Sequence, residues 1–374
     1  MVRRPLWLLA ALPWLAASDL PVFDVGGDWG RLGDLAGGRM REYHTTSPTT
    51  ARLRSMLRNE NVSAALDGLL AWHSAAFPRF AQELQAMAQG AGLGYRDLAA
   101  YSFKNELLAV FAEQAPDSER EACSDVLVHD QQSHVHGHNE DGEEQLANFS
   151  YIVRTDDFEA MVYPGALAGG AFGFNRHGLV VTMNALSPRS AIIKAGCAGK
   201  YWLGRAVLEA ESIQQAIGIL ERFCHAYGMS LNVGSVVTKE QVNIEVAPGG
   251  GVSVWNVSGG SYFHANAYLH MNVTEDPHLS PSSAHREARA RQLLPAVGRD
   301  GVLRVLGDTQ DKHWPIYRTL GNGDYSVTLA TALFDYDRLR VDIWAGSNPR
   351  LAQPLLTRWL LEPPPMEGLG ALVV

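Results

Sequence analysis

The first part of the chain carries apolar residues at the spacing expected of helices. Two groups recur at helix-like intervals, Leu66, Leu69 and Leu70 and then Phe80, Leu84 and Met87. Such spacing places each group on one face of a helix. Gly90-Ala91-Gly92 ends the second run, and a further helix is predicted over residues 98–111. The chain is therefore expected to be helical up to about residue 110.

Beyond residue 122 short runs rich in β-branched and aromatic residues replace this pattern. They cover residues 126–128, 151–153, 160–163, 179–181, 231–237, 242–246, 252–255, 262–265, 326–333 and 339–344. Polar turns separate them, which is typical of antiparallel strands. Two helical segments, 201–209 and 212–223, interrupt the series. The pattern predicts one layered domain of the α/β or α+β class with mostly antiparallel sheets.

The composition narrows the kind of partner. Hydrophobic residues make up 46% of the chain, which is enough for a large buried core. The formal net charge is −9, and Lys and Arg form no long run. A nucleic-acid partner is therefore not expected, because binding to phosphates requires a basic surface.

The N-terminus has the layout of a cleavable signal peptide over residues 1–18. Two arginines, Arg3 and Arg4, precede an apolar run and the small residues 16–18. The run is shorter than the roughly 18 to 20 residues of a membrane helix, so no membrane span is expected. Four Asn-x-Ser/Thr sequons agree with export: Asn61, Asn148, Asn256 and Asn272. These features predict a glycoprotein of the secretory pathway, secreted or lysosomal.

The chain contains three cysteines, Cys123, Cys197 and Cys224. An odd count in an oxidising compartment leaves at least one thiol without an internal partner. Cys197 and Cys224 could pair across a helical stretch, which would leave Cys123 free. Three ordinary buried cysteines are the alternative interpretation.

Cys123 stands where a polar loop, residues 113–121, meets the first predicted strand. Such a loop is expected to be exposed and easily cut. A cut between Ala122 and Cys123 would create an α-amine on the same residue as the thiol. An α-amine titrates near 7.7 to 8.0, so it can accept the thiol proton and produce a nucleophilic thiolate.

A polar segment, Gly137-His138-Asn139-Glu140-Asp141-Gly142, follows at the end of a predicted hairpin. Asp141 could return to Cys123 and orient the protonated amine, and Asn139 could donate a hydrogen bond to the site or shape the turn. From the residues alone, the segment is most typical of a surface turn.

The alternating histidines of this region suggest a zinc site as an alternative to thiol chemistry at Cys123. His134, His136 and His138 would share one face of a strand, with His129 and Asp141 nearby. Residues 131–133 predict a turn, however, and alternating polar residues more often mark the solvent side of a hairpin. We therefore expect neither a metal nor a cofactor.

Several motifs together resemble one enzyme family. Cys123-Ser124 at a strand start, followed by His138-Asn139-Glu140-Asp141, resembles the penicillin acyltransferase (acyl-coenzyme A:6-aminopenicillanic acid acyltransferase) family of N-terminal nucleophile hydrolases. Bile-salt hydrolase and lysosomal N-acylethanolamine amidase are more distantly similar. Further similarities are Phe263-His264-Ala265-Asn266, the glycines around Gly33, Lys104 with Glu106, Arg205, and Asn232 with Glu245.

The resemblance implies a fold and a mechanism. The fold is an α+β four-layer αββα sandwich, made as a precursor that cuts itself before Cys123. Residues 19–122 would form a helical smaller subunit and residues 123–374 a strand-rich catalytic subunit, joined as a heterodimer within one domain. Cys123 would be the nucleophile, Asn266 would stabilise the oxyanion, and His138 and Asn139 would support the site.

The same resemblance leaves the reaction open between two outcomes. A thioester on Cys123 can pass its acyl group to water, as in an amidase, or to an amine, as in an acyltransferase. The expected substrates are small N-acyl amides, including acylated amino acids and β-alanyl amines, and lipid amides are a further candidate class.

Two departures from the family pattern allow an inactive binding glycoprotein on the same scaffold. Ala265 replaces a usual Thr, and Gly346-Ser347 stands where many members have Gly-Arg. If an arginine assists catalysis, Arg338 or Arg340 is the candidate.

Overall fold

The computed structural model describes residues 19–111, 122–276, 280–319 and 326–361. The predicted signal peptide (1–18) and the predicted loop (113–121) lie outside the described residues. The proposed boundary between residues 122 and 123 falls at the start of a strand.

The N-terminal part consists of helices, as predicted, together with one short strand. The strand is β1 (Val22–Asp24), and the helices are α1 (Trp29–Thr46), α2 (Pro48–Met56), α3 (Glu60–Ala76), α4 (Pro78–Ala91), α5 (Tyr95–Ser102) and α6 (Lys104–Phe111). Gly92 ends α4 in the left-handed conformation that glycine adopts without strain. The prediction of a single helix over residues 98–111 is wrong. The backbone leaves helical geometry at Phe103, whose side chain is fully buried.

Eight strands form the larger sheet, called sheet A. Their spatial order is β1, β4 (Tyr151–Arg154), β5 (Phe158–Val162), β6 (Phe172–Asn175), β7 (Leu179–Ala185), β10 (Met229–Ser235), β11 (Gln241–Val246) and β12 (Val252–Asn256). Apart from the parallel pair β1–β4, neighbouring strands are antiparallel. The parallel pair attaches the N-terminal part to the edge of sheet A.

Six antiparallel strands form sheet B. Their order is β13 (Gly260–His264), β2 (Ala122–His129), β3 (His134–Glu143), β14 (Ser326–Asp335), β15 (Arg340–Ala345) and β16 (Leu356–Trp359). A two-stranded parallel pair, β8 (Cys197–Ala198) and β9 (Cys224–His225), stands apart from both sheets. At this pair the structure joins Cys197 and Cys224 in a disulfide, which leaves Cys123 as the free thiol.

Helices cover the outer face of each sheet. Helices α8 (Lys200–Leu208) and α9 (Ile213–Arg222) pack on strands of sheet A, and α11 (Gly298–Leu306) packs on β2, β3 and β14. Helix α10 (Ser280–Leu293) lies beside β13 and α11, and α7 (Leu146–Phe149) beside α1 and β3. The two sheets meet face to face, with β2 against β7. This order of layers confirms the predicted α+β αββα sandwich.

Strand β3 corrects the surface-turn interpretation of residues 137–142. The segment is the middle of a ten-residue strand between β2 and β14 and is buried. Sheet A covers one face of it and α11 the other, so its polar side chains are hidden from solvent. A Cβ at Gly137 would lie 2.3 Å from Val302 of α11, so glycine permits this close packing.

Within the described ranges, every helix is too short or too polar to cross a membrane.

Candidate active site

Cys123 is the second residue of β2, and its thiol lies between the two sheets. Glu140 of β3 is its direct cross-strand partner. The Cys123 thiol donates to Glu140 Oε1 across 3.7 Å, and the side chain is 1% exposed. In the uncut chain the thiol is therefore covered by protein and next to a carboxylate.

The polar residues of β3 divide between the two faces of sheet B, because successive side chains on a strand point in opposite directions. His138 and Glu140 share the face of Cys123, toward sheet A. Asn139 and Asp141 lie on the face covered by helices, where Asn139 Nδ2 donates to the Leu306 carbonyl at the end of α11. Of the predicted residues on β3, only His138 thus faces the thiol.

A buried chain of hydrogen bonds leads away from Glu140. Its second oxygen, Oε2, lies 3.0 Å from His138 Nε2, and His138 Nδ1 lies 2.9 Å from Asp125 Oδ2. Asp125 Oδ1 also pairs with His136 Nε2 and accepts from the Thr182 hydroxyl of β7. Tyr163 donates from its hydroxyl to Glu140 Oε1. These contacts connect Cys123 of sheet B to Thr182 of sheet A.

The electrostatic environment keeps the thiol protonated and the histidine charged. Burial, with the nearby charge of Glu140, raises the pKa of the Cys123 thiol to about 12, although His138 opposes this effect. Burial would lower the pKa of His138, but Asp125 and further hydrogen bonds hold it well above its ordinary value. Burial would raise the pKa of Asp125, but the two histidines hold it well below its ordinary range. The thiol therefore lies beside an imidazolium.

Three side chains of this cluster are of the types that bind metals. Donor atoms of Cys123, His138 and Glu140 lie within 4.8 Å of one another. A histidine must present a neutral nitrogen to bind a metal, whereas both ring nitrogens of His138 face carboxylates. The arrangement is better suited to proton transfer than to metal binding.

The solvent-facing interpretation of the alternating histidines is wrong for two of the three. His136 and His138 are fully buried, because β3 is an inner strand. His134 lies at the outer end of β3 and pairs with Asp337. His129 contacts His134, with ring centroids 4.8 Å apart. The histidines of the suggested zinc site therefore form two groups, since His136 and His138 share Asp125 whereas His129 and His134 contact each other at the outer end of the hairpin.

Asn266 lies beside Cys123, at the backbone nitrogen. Asn266 Oδ1 accepts from Cys123 N at 2.9 Å, and Nδ2 donates to the Ala185 carbonyl at 2.9 Å. Arg286 fixes this orientation, because guanidinium groups only donate and Arg286 Nη2 lies 2.7 Å from Asn266 Oδ1. The amide oxygen, rather than the amide nitrogen, therefore faces the backbone nitrogen of Cys123. The role of Asn266 as an oxyanion donor stays a prediction.

Arg286 is a site residue that was not identified from the sequence. This buried side chain of α10 donates to the Cys123 carbonyl and to Ser124 Oγ, as well as to Asn266. It links the start of β2 to the segment after β13. Its position follows only from the packing of α10 on β13, and no local pattern in the sequence indicates it.

Asp141 and Asn139 contact groups on the helix-covered face of β3. Asp141 accepts from the Thr328 hydroxyl and lies 3.4 Å from Arg318 Nε. Asn139 accepts from the Thr331 hydroxyl. The charge of Asp141 still contributes to raising the pKa of Cys123. Its predicted contact with the α-amine stays a prediction.

The structure places Arg338 and Arg340 away from this site. Arg338 pairs with Asp335, and Arg340 lies 3.6 Å from Asp342. In sheet B, Asp335 is opposite Val135. Val135 lies near the start of β3, whereas Glu140 lies toward its other end. Arg286 and Arg318, rather than these two, bring guanidinium groups to the start of β2 and to Asp141.

The four predicted glycosylation residues all lie on the surface. Asn61, Asn148, Asn256 and Asn272 are exposed in the structure. Surface exposure is what an acceptor asparagine requires, and the modification itself stays a prediction.

Comparison with known proteins identifies the family. Residues 128–350 match the family described as Acyl-coenzyme A:6-aminopenicillanic acid acyl-transferase. The chain is 23% identical to the β-alanyl-dopamine/carcinine hydrolase of Drosophila melanogaster over 309 residues, which cover 74% of this chain and 79% of the relative.

Solved structures of similar proteins include an amidase and a hydrolase. The Caenorhabditis elegans ortholog of N-acylethanolamine-hydrolyzing acid amidase is 12% identical, with a TM-score of 0.43, over 63% of this chain and 99% of the other. A mutant of conjugated bile acid hydrolase from Clostridium perfringens is 10% identical, with a TM-score of 0.35, over 60% of this chain and 89% of the other. The family match spans well over half of the sequence. The chain therefore belongs to the acyl-coenzyme A:6-aminopenicillanic acid acyl-transferase family.

Proposed function

We propose that this protein is an N-terminal nucleophile amidase that cuts itself between Ala122 and Cys123 and then hydrolyses small N-acyl amides through a thioester on Cys123. The observation that carries the proposal is the arrangement at the start of β2. One residue presents a thiol to Glu140 and its backbone nitrogen to Asn266. A cut at this bond turns that nitrogen into an amine beside the thiol.

In the cut enzyme the α-amine takes the thiol proton, and the thiolate attacks the amide carbonyl carbon. The tetrahedral intermediate collapses to a thioester as the amine of the substrate leaves with a proton. Water then attacks the thioester and releases the acid. Asn266 Oδ1 holds the α-amine in position, because it already accepts from the same nitrogen in the uncut chain. Asn266 Nδ2 carries two hydrogens and donates one to the Ala185 carbonyl, so the other is the candidate donor to the oxyanion.

We propose β-alanyl amines as the first substrate class to test. Support comes from the Drosophila melanogaster relative, whose name describes hydrolysis of β-alanyl-dopamine and carcinine. Acyl transfer is the second candidate reaction, because the family description names an acyl-transferase and the same thioester can pass its acyl group to an amine.

We also propose that the protein matures in the secretory pathway and functions outside the cytosol, secreted or lysosomal. The four surface sequons and the disulfide between Cys197 and Cys224 support this address. Removal of N-linked glycans from protein made in animal cells should lower its mass, and protein that carries no glycan would contradict this part.

Substitution of the nucleophile tests the proposed function. The Cys123→Ala chain should remain a single polypeptide and release no amine from a panel of β-alanyl amines and N-acyl amino acids. The wild-type chain should separate into two fragments under denaturing conditions and release amine. Amine release by Cys123→Ala at the wild-type rate would contradict the proposal. A wild-type protein that is cut but binds amides without turnover would instead support the inactive-scaffold alternative.

A further inference from the structure

We propose that Glu140 is the proton acceptor for the Cys123 thiol during self-cleavage of the uncut chain. This inference rests on the proposed function, because it concerns the step that creates the α-amine. It adds a catalytic residue that acts before that amine exists.

The uncut chain needs a base other than the nitrogen of Cys123. Before cleavage this nitrogen belongs to a peptide bond, so its lone pair is delocalised toward the carbonyl of Ala122. Its hydrogen points to Asn266 Oδ1. The thiol is buried, and its raised pKa leaves little thiolate at neutral pH. Self-cleavage therefore requires a neighbouring group that removes the proton.

Glu140 has the geometry of such a group. It lies directly across the β ladder from Cys123, and its Oε1 already accepts from the thiol at 3.7 Å. His138 Nε2 holds the other oxygen at 3.0 Å, and the Tyr163 hydroxyl contacts Oε1. These contacts fix the carboxylate toward Sγ.

The other titratable groups of the cluster are less suited to accept the proton. Both ring nitrogens of His138 face carboxylates, so the ring acts as a donor. The Asp125 carboxylate is engaged by His136, His138 and Thr182. Asp141 lies on the opposite face of β3 and binds Thr328. Glu140 is the carboxylate that contacts the thiol.

Self-cleavage by this route consumes no reagent other than water. Glu140 takes the thiol proton, and Sγ attacks the carbonyl carbon of Ala122. The tetrahedral intermediate collapses as the C–N bond to Cys123 breaks and the nitrogen takes the proton back from Glu140. This produces a thioester between Ala122 and Cys123 Sγ and a free α-amine. Water hydrolyses the thioester to the Ala122 carboxylate and the free thiol.

The test measures the rate of self-cleavage in chains made by cell-free translation and sampled over time on denaturing gels. Glu140→Gln keeps the side-chain shape but removes the base, so cleavage should slow by about 100-fold or more. Glu140→Asp restores a carboxylate one methylene further from Sγ and should cut at an intermediate rate. Glu143→Gln is the matched control, since Glu143 lies on the same strand but contacts Thr49. It should cut at the wild-type rate.

Melting temperatures separate a lost base from a lost fold. A folded Glu140→Gln chain that cuts at the wild-type rate overturns the inference. If that variant does not fold, Glu140→Asp decides: slowing by tenfold or more supports the inference, and wild-type speed overturns it. Failure of the proposed function is distinct, because then the wild-type chain would stay uncut or Cys123→Ala would cut.

Discussion

The residues around the bond proposed for cleavage have fixed orientations in the uncut chain. Arg286 can only donate hydrogen bonds, and it contacts the oxygen of the Asn266 side chain. Asn266 must therefore present an acceptor to the nitrogen of Cys123. An acceptor at this position suits a protonated α-amine, which carries three donors after cleavage. We infer that the start of β2 is arranged in advance for the mature enzyme.

Replacement of Asn266 should therefore affect the reaction more than the fold. Asn266→Ala removes the acceptor for the α-amine, and we expect kcat/KM for an amide substrate to fall about 100-fold, as when a group that positions reacting atoms is lost. Asn256→Ala, at the exposed end of β12, should leave kcat/KM unchanged. Equal kcat/KM for these two variants would show that Asn266 has no part in the reaction.

Cys123 and Asn266 could be predicted from the sequence because the family resemblance includes their motifs. Glu140 and Arg286 could not be assigned roles in this way. The contact of Glu140 with the thiol depends on the register between β2 and β3, and Arg286 reaches the site from a helix more than 160 residues away. Register and helix packing are set by the whole core rather than by local pattern.

At the scale of elements, the N-terminal helices are attached to the rest of the molecule by buried polar contacts across the proposed cut. Glu83 of α4 pairs with Arg205 of α8, and both side chains are at most 5% exposed. His73 of α3 accepts from the backbone nitrogen of Gly199 through Nε2 at 2.9 Å. These contacts, with the β1–β4 pair, are suited to holding two fragments together after cleavage.

Protonation of His73 should weaken this attachment in acid. Burial lowers the pKa of His73 to about 4. Between this value and the ordinary value of 6.5, the unfolded chain binds a proton that the folded chain does not, so stability falls as the pH falls through this window. Between pH 7.5 and pH 4.5, the unfolding free energy of the protein with His73 should fall by about 2 to 3 kcal/mol more than that of His73→Gln.

The comparison is best made in the Cys123→Ala background, where the chain is expected to stay uncut. Denaturant unfolding at several pH values provides the free energies. His313→Gln, at an exposed position, is the control and should follow the parent curve. Parallel curves for His73→Gln and the parent would contradict the buried, neutral state of His73.

Apolar periodicity predicted α3, α4 and most strands because their buried faces are apolar. It could not identify β3 as buried, because this strand carries His136, His138 and Glu140 on the face toward sheet A. These side chains are compatible with burial only as a mutually hydrogen-bonded group. The break at Phe103 could not be predicted for a different reason, because the residues on both sides of it have helical spacing.

At the scale of the whole molecule, the two sheets enclose a polar centre within a largely apolar sandwich. Asp125, Thr182 and His136 connect β2, β7 and β3 across the interface between the sheets. The thiol lies at one end of this network, beside the bond proposed for cleavage. The fold thus holds the proposed nucleophile, the proposed base and the peptide bond proposed for cleavage together in a single chain, which is the arrangement that self-cleavage would require.

Intact mass under denaturing conditions, with N-terminal sequencing of the larger fragment, is the decisive test of self-cleavage before Cys123. We expect two fragments in mature protein, the larger beginning Cys123-Ser124-Asp125. Fully active protein that remains one unbroken polypeptide across residues 122 and 123 would contradict it.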